Sequence, residues 1–253
     1  MPTEGSINIG IKNNIGTIEF YHPKGNSLPG SLLKELSQGI TELGENSEVG
    51  VIVLRSKGEG AFCAGASFDE LIAIENKEEG KKFFLGFSHV LNAMRKSSKL
   101  VIVRVQGKTV GGGVGLAAGG DYTIAHESAD VKLSELALGI GPFVVGPAVK
   151  RKIGVAAFGV LATDAKNWHS ADWAHKCGLF SKVCDSRAEL DKATANLAHD
   201  LANSSPAAMQ ELKRMFWQGT ENWEELMQKR AETSGKLVLS DFTRNFIEEF
   251  KKK

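Results

Sequence analysis

The sequence contains few cysteines, and their number is odd. Cys63, Cys177 and Cys184 are the only three in 253 residues, so they cannot form the paired framework that holds small secreted domains together. They also have no Cys or His neighbours at the spacing of a zinc site. The pattern indicates a reducing compartment, and we expect no bound metal.

A membrane-spanning run and a targeting segment are also missing. No apolar stretch approaches the roughly 20 residues that a helix needs to cross a bilayer. The N-terminal sequence MPTEGSINIG has no basic segment followed by an apolar one, as a signal peptide would have. We therefore expect a cytoplasmic protein without a membrane partner.

Charge of one sign is not in excess either. The 31 basic and 30 acidic residues leave a net charge of +1, which provides no strongly basic surface for nucleic acid. The hydrophobic content of 42% and the charged content of 24% are typical of a globular protein. The composition therefore gives no indication of a nucleic-acid or membrane surface.

Repeating apolar patterns predict an α/β fold. Residues 7–20 alternate on either side of a turn at Lys12-Asn13-Asn14, which is typical of a β-hairpin. Largely apolar runs at 49–55 and 101–105 predict strands that are buried on both faces. Helical spacing of apolar residues between these runs, including a long amphipathic helix predicted over 77–96, implies parallel strands joined by crossover helices.

The strand signals end near residue 185, and only helical patterns follow. The sequence thus predicts an α/β core over residues 1–185 and a helical region over residues 186–253. Because the helical region has no strands of its own, it is expected to pack on that core or on a neighbouring subunit.

Glycine is the residue in excess, with 28 copies where about 7% is usual. The copies cluster in two loops, residues 56–65 and Gly111-Gly112-Gly113, and each loop follows an apolar strand and precedes a helical pattern. Such turns place free backbone N–H groups at a helix N-terminus, where they can stabilise an anion.

The second glycine loop admits several interpretations. A P-loop is excluded because Ile102 stands where its leading glycine should be, before Gly107-Lys108-Thr109. The residues from Gly113 to Ala118 fit the dinucleotide pattern G-x-G-x-x-A, but the preceding run is too long for that tight turn. The glycines can also simply allow a helix to pack closely on a sheet. The fourth interpretation takes both loops together as an oxyanion hole.

An oxyanion hole needs a base nearby, and Glu135 is the candidate carboxylate. It begins a short helical turn and is flanked by Leu133, Leu136 and Leu138, so desolvation is expected to raise its pKa toward that of a useful base. A first-turn carboxylate that only suits the helix dipole is the alternative.

Four segments of the chain together resemble the crotonase family, the enoyl-CoA hydratase/isomerase superfamily. They are AFCAGASFDEL at 61–71, GGGVGLAAGGDYTIA at 111–125, SELALGI at 134–140 and AKNWHSADWAHKCGLFSKV at 165–183. The resemblance covers essentially the whole chain. It implies a β-β-α spiral core, an acyl-CoA thioester substrate that carries the only coenzyme, and a homotrimer or stacked hexamer held by the helical region.

The resemblance also implies roles for individual residues. The N–H groups of Ala66 and Gly112 are expected to hold the thioester oxygen as an enolate forms, and Glu135 to act as acid and base. The residues that the resemblance suggests for substrate and CoA binding are Lys24, Ala64, Phe68, Gly111 and Pro142.

One position departs from the pattern of the family. Its hydratases use two glutamates, and the residues at those two positions here are Gly115 and Glu135. Adding water needs one group for the water and one for the C2 proton, whereas moving a double bond needs a single base. The sequence therefore favours a Δ3,Δ2-enoyl-CoA isomerase, and Pro142-Phe143 in place of a glycine-rich loop points the same way.

Two alternatives stay open at the level of sequence. One is an enoyl-CoA hydratase, including one for branched-chain enoyl-CoA, whose second acid comes from another residue. The other is a family member that binds acyl-CoA without turning it over. The retained Glu135 argues against the second, because a carboxylate in a partly apolar site is costly to keep without a use.

Overall fold

The computed structural model describes residues 5–251, and eight strands form its sheets. They are β1 (Ser6–Lys12), β2 (Ile15–Tyr21), β3 (Val51–Ser56), β4 (Leu100–Val105), β5 (Thr109–Val110), β6 (Tyr122–His126), β7 (Val131–Lys132) and β8 (Lys182–Cys184). The main sheet has the order β1-β2-β3-β4-β6-β8. Its first pair is antiparallel and all later pairs are parallel. A small parallel sheet joins β5 to β7.

Ten α-helices and one 3-10 helix connect and follow these strands. The α-helices are α1 (Gly30–Glu45), α2 (Phe68–Ile72), α3 (Lys77–Lys96), α4 (Gly112–Gly119), α5 (Gly146–Thr163), α6 (Ala171–Lys176), α7 (Arg187–Ala202), α8 (Pro206–Phe216), α9 (Trp223–Leu237) and α10 (Asp241–Lys251). The 3-10 helix is Glu135–Leu138. The α/β prediction is confirmed. Among residues 5–251, no helix has the length and apolarity needed to cross a bilayer.

The predicted hairpin and the long helix are both present. Asn13 and Asn14 adopt φ values of 51° and 60°, which is the left-handed geometry of a two-residue turn that matches strand twist. The predicted helix over 77–96 is α3, where the Asn76 side chain accepts the N–H of Glu79 at 3.0 Å. This cap satisfies one of the donors that a helix start leaves free.

The C-terminal helices pack on the core of the same chain. A Cβ placed on Gly80 of α3 would lie 2.8 Å from the Cα of Gly235 in α9, so these two helices touch backbone to backbone. Lys81 and Glu232 join the same helices through an ion pair of 2.7 Å. The helical region was expected to pack on the α/β core or on a neighbouring subunit, and the structure shows it packed on the core of its own chain.

A buried ion pair fastens α8 to the start of β6. Lys213 Nζ lies 2.6 Å from Asp121 Oδ2, and each side chain is only 4% exposed. The indole N–H of Trp217 donates to the other oxygen of Asp121 at 2.8 Å. This arrangement compensates both buried charges, as burial of an ion pair requires.

We predict that Lys213→Met lowers the free energy of unfolding by about 3 kcal/mol, because Asp121 would be left buried without its counter-ion. Urea unfolding at neutral pH measures the change. The control is Lys176→Met, which breaks an ion pair with Asp172 whose side chains are 73% and 69% exposed, and it should change stability little. Equal effects of the two variants would contradict the prediction.

Candidate active site

The two glycine-rich loops lie side by side beyond the carboxyl ends of β3 and β4. Phe62 N donates to Lys108 O at 3.0 Å, and Val110 N donates to Cys63 O at 2.9 Å. Gly65 has a φ of +91°, and a Cβ there would lie 3.2 Å from Val110 O and 3.7 Å from the Gly112 nitrogen. Glycine is therefore required where the first loop meets the second.

This contact brings the amides of Ala66 and Gly112 to one cavity, which both residues line. Gly112 is the first residue of α4, so its N–H is one of those that a helix leaves unpaired. In the part of the chain that the structure describes, neither amide donates to a protein acceptor. Two free donors beside a helix N-terminus form a suitable site for a developing oxyanion.

Packing behind Gly112 fixes the position of its amide. A Cβ on Gly112 would lie 2.2 Å from the Cζ atom of Phe87 in α3, so only glycine fits there. The next residue back, Gly111, donates its N–H to Lys132 O at 2.9 Å and has a φ of +53°. The loop is therefore held on both sides, and the amide direction is set before any ligand arrives.

Glu135 faces this loop from the small sheet. It follows β7 after two residues, and β7 is paired with β5, which leads into the glycine turn. A Cβ on Gly111 would lie 3.0 Å from Glu135 Oε1, so the missing side chain at Gly111 leaves room for the carboxylate. Oε2 is buried and has no hydrogen-bond partner among the described residues.

Burial raises the pKa of Glu135 to about 7, against which a hydrogen bond from its own backbone acts weakly. The residue as a whole is half-buried, but the carboxylate that titrates is the buried part. The expected rise in pKa is thus supported, although the expected neighbours are not all correct. Leu136 is 50% exposed, because a 3-10 turn directs consecutive side chains to different sides, and the cavity wall supplies the desolvation instead.

The cavity measures about 280 Å³ and has a mostly apolar wall that includes six phenylalanines. The aromatic residues that line it are Phe68, Phe83, Phe84, Phe87, Phe143 and Phe246. Among the described lining residues, Glu135 is the only ionisable one. An apolar enclosure of this kind suits a hydrocarbon group next to a single carboxylate.

The space next to Gly115 is already occupied. A Cβ on Gly115 would lie 2.6 Å from Val145 Cγ1 and 2.9 Å from Val145 Cβ, closer than packed carbon atoms come. Val145 itself lines the cavity and is 4% exposed. A valine side chain therefore fills the position into which a side chain at residue 115 would project.

The other residues that sequence reasoning selected divide into two groups. Ala64, Phe68, Gly111 and Pro142 all line the cavity. Lys24 does not. Its ammonium group pairs with Asp69, and its side chain is 65% exposed. The structure thus places Lys24 beside the first glycine loop but outside the cavity.

Among the cavity-wall residues that sequence reasoning did not identify are Val145, Ser234 and Phe246. Ser234 belongs to α9 and Phe246 to α10, about a hundred residues after Glu135 in the chain. No local motif connects them to the loops. Helical periodicity in this region predicts helices but not which surface they cover.

The sequence is similar to those of known acyl-CoA enzymes. Residues 10–245 match the family model described as enoyl-CoA hydratase/isomerase. The chain is 30% identical over 210 residues to a short-chain-enoyl-CoA hydratase of Clostridium acetobutylicum, covering 82% of this chain and 79% of the relative. It is 32% identical over 200 residues to the mitochondrial methylglutaconyl-CoA hydratase of Rattus norvegicus, covering 78% of this chain and 63% of that protein.

The fold has a close counterpart among solved structures. The crystal structure of enoyl-CoA hydratase from Bacillus halodurans superposes with a TM-score of 0.88 and covers 96% of this chain and 99% of that one. The two sequences are 19% identical. The similarity therefore confirms the fold that the four sequence segments implied.

Proposed function

Since the chain belongs to the enoyl-CoA hydratase/isomerase family, we propose that it moves the double bond of an enoyl-CoA thioester from C3 to C2. The observation that carries this proposal is a single buried carboxylate, Glu135, opposite two free amides. A second carboxylate is absent from the described cavity lining, and Val145 fills the space next to Gly115. Isomerisation is the reaction of this family that one base can complete.

In the proposed mechanism, the thioester oxygen accepts the N–H groups of Ala66 and Gly112. Glu135 removes a proton from C2 of the 3-enoyl group, and the electrons move into a dienolate whose oxygen the two amides stabilise. The protonated Glu135 then returns the proton at C4, which leaves the double bond between C2 and C3. The proton and the electron pairs balance without water or a second cofactor.

The composition of the cavity wall favours an uncharged acyl group. Because Glu135 is the only ionisable residue of the described lining, a carboxylate at the end of the acyl chain would be buried without a counter-ion. The rat relative is named for methylglutaconyl-CoA, whose acyl group carries such a carboxylate. We propose that this chain prefers an uncharged enoyl group.

Hydration is the second candidate, because the two relatives compared above are named as hydratases. It would require an acid or base that the cavity lining does not provide beside Glu135. A paired assay on one preparation distinguishes the reactions. We expect trans-3-hexenoyl-CoA to gain the absorbance of a conjugated thioester and crotonyl-CoA to keep it. Loss of the crotonyl-CoA absorbance would favour the hydratase.

The pH dependence of the reaction should reflect Glu135. The base must be ionised, and burial raises its pKa to about 7, so kcat/KM is expected to rise about tenfold per pH unit below this value and to level off above it. Stopped-flow assays between pH 5.5 and 9 measure the profile. A flat profile down to pH 5.5, with the protein folded, would contradict a base in this environment.

We also propose that the chain forms a homotrimer, or a hexamer of two trimers. The support is an apolar stripe on α8, where Leu212, Met215 and Phe216 are 43%, 68% and 40% exposed. Large apolar side chains grouped in this way are typical of a surface that another subunit covers. Light scattering after size exclusion gives the mass that tests the proposal.

A further inference from the structure

Ser234 places an unused hydroxyl group in the wall of the acyl cavity. The residue lines the cavity and is 1% exposed, and its Oγ has no hydrogen-bond partner among the described residues. A serine in a helix commonly donates to the carbonyl four residues earlier, but that bond is not formed here. A buried donor without an acceptor is costly unless a ligand supplies one.

Ser234 lies on α9, and the level at which α9 contacts α3 shows which part of a substrate Ser234 would meet. At one end, Phe87 contacts Gly112, which carries one of the two free amides. Two turns earlier in α3, Gly80 contacts Gly235, the neighbour of Ser234. Seven residues of helix span roughly 10 Å at 1.5 Å per residue. Ser234 therefore stands at the end of the cavity that is remote from the thioester.

The surroundings of Ser234 make its hydroxyl selective. The cavity between the two ends is lined by aromatic rings, with Phe83 and Phe84 on α3 and Phe246 on α10. These side chains offer no oxygen or nitrogen that could accept from a serine. An acceptor has to arrive with the ligand, and the helical rise of roughly 10 Å between the two contacts corresponds to an acyl chain of medium length.

We infer that Ser234 recognises an oxygen atom near the far end of the acyl group, so that the substrate is a medium-length, uncharged enoyl-CoA carrying a hydroxyl or keto group there. Ser234 acts in this inference as a specificity-determining residue and takes no part in the proton transfer. The inference rests on the acyl-CoA site described under the proposed function, and it adds the chemistry of the acyl tail.

Binding measurements test the inference separately from the reaction, because saturated acyl-CoA esters have no double bond to move. The probes are octanoyl-CoA and the ω-hydroxy derivatives of heptanoyl-, octanoyl- and nonanoyl-CoA, titrated by calorimetry into the wild type and into Ser234→Ala. For at least one hydroxylated chain, we expect the preference over the plain chain to fall about 5- to 10-fold in the variant.

The control is Ser88→Ala, which removes another buried serine of the α3–α9 contact. Ser88 bonds to Met227 Sδ at 3.4 Å and does not line this cavity, so its loss should leave the preference unchanged. If Ser234→Ala weakens all four probes equally, or none of them, the inference is overturned. Failure of the isomerase assay with these binding ratios intact would overturn the proposed reaction alone.

Discussion

Glu135→Gln is expected to lower kcat for trans-3-hexenoyl-CoA by about 10²- to 10⁴-fold, because a positioned acid/base group contributes a factor of this size. The variant keeps the shape of the side chain but cannot accept the C2 proton. Substrate binding should change little, since the apolar wall and the two amides stay in place. Single-turnover kinetics with the variant and calorimetry with a saturated acyl-CoA separate the two effects.

The control for this variant is Glu127→Gln, which changes an exposed carboxylate outside the cavity and should leave kcat unaltered. Activity within about tenfold of the wild type in Glu135→Gln would contradict the assignment of the base. A loss of acyl-CoA binding as large as the loss of kcat would instead mean that Glu135 shapes the site and does not move a proton.

The same substitution has an expected effect on stability that follows from the pKa of Glu135. Burial raises this pKa from 4.5 to about 7, so the folded protein binds more protons than the unfolded chain between these values. Wild-type stability should therefore fall as the pH rises from 4.5 to 7, by about 3 kcal/mol in total. Glu135→Gln lacks this loss.

Urea unfolding at pH 5 and pH 8 measures this difference between the two proteins. The free energy of unfolding of the variant should rise relative to that of the wild type as the pH rises. The cost of burying the amide does not depend on pH and leaves this trend unchanged. Parallel pH profiles would show that the Glu135 carboxylate is solvated. A catalytic base with such a pKa thus costs stability, as is common where a site needs a desolvated group.

The two glycine loops could be predicted from sequence because they depend on local order along the chain, namely a buried strand, a glycine turn and a helical pattern. The assignment of the amides of Ala66 and Gly112 to an oxyanion hole came from the resemblance to the family and not from this local order. Glu135 could be predicted as a candidate base from its place at a helix start. Its environment could be predicted only in part, since the exposure of Leu136 depends on the 3-10 geometry of that turn.

The far wall of the cavity depends on packing between distant parts of the chain. Phe246 and Ser234 reach the cavity because α9 lies against α3 and α10 crosses the loop at Gly139, where a Cβ would lie 2.4 Å from Phe242 Cδ1. Helical periodicity predicts which face of such a helix is apolar but not what covers it. Substrate specificity therefore cannot be predicted from the sequence, even where the reacting end of the site can.

Gly115→Glu alone is expected to produce a destabilised protein without hydratase activity. The new side chain would meet Val145 Cγ1 and Cβ at 2.6 and 2.9 Å from its own Cβ, and overpacking of this kind typically costs 1–3 kcal/mol. The backbone of α4 is not the obstacle, since glycine inside a helix is less favourable than other residues. Val145, and not the helix backbone, is thus the obstacle to a glutamate at position 115.

Gly115→Glu combined with Val145→Gly removes this obstacle, and here we expect hydration of crotonyl-CoA to rise by about 10²- to 10⁴-fold over the wild type. Two carboxylates at one site repel each other, which raises one pKa and keeps one group protonated near neutral pH. One ionised and one neutral carboxyl are the pair that water addition needs. Loss of crotonyl-CoA absorbance, at equal protein concentration, measures the gain.

The matched control is Gly115→Gln with Val145→Gly, which has the same volume without the second carboxylate and should stay inactive in hydration. If this control hydrates crotonyl-CoA as fast as the glutamate variant, the gain comes from space and not from acid/base chemistry. If neither double variant hydrates although both bind acyl-CoA, then occupation of the space beside Gly115 is not what separates isomerisation from hydration in this chain.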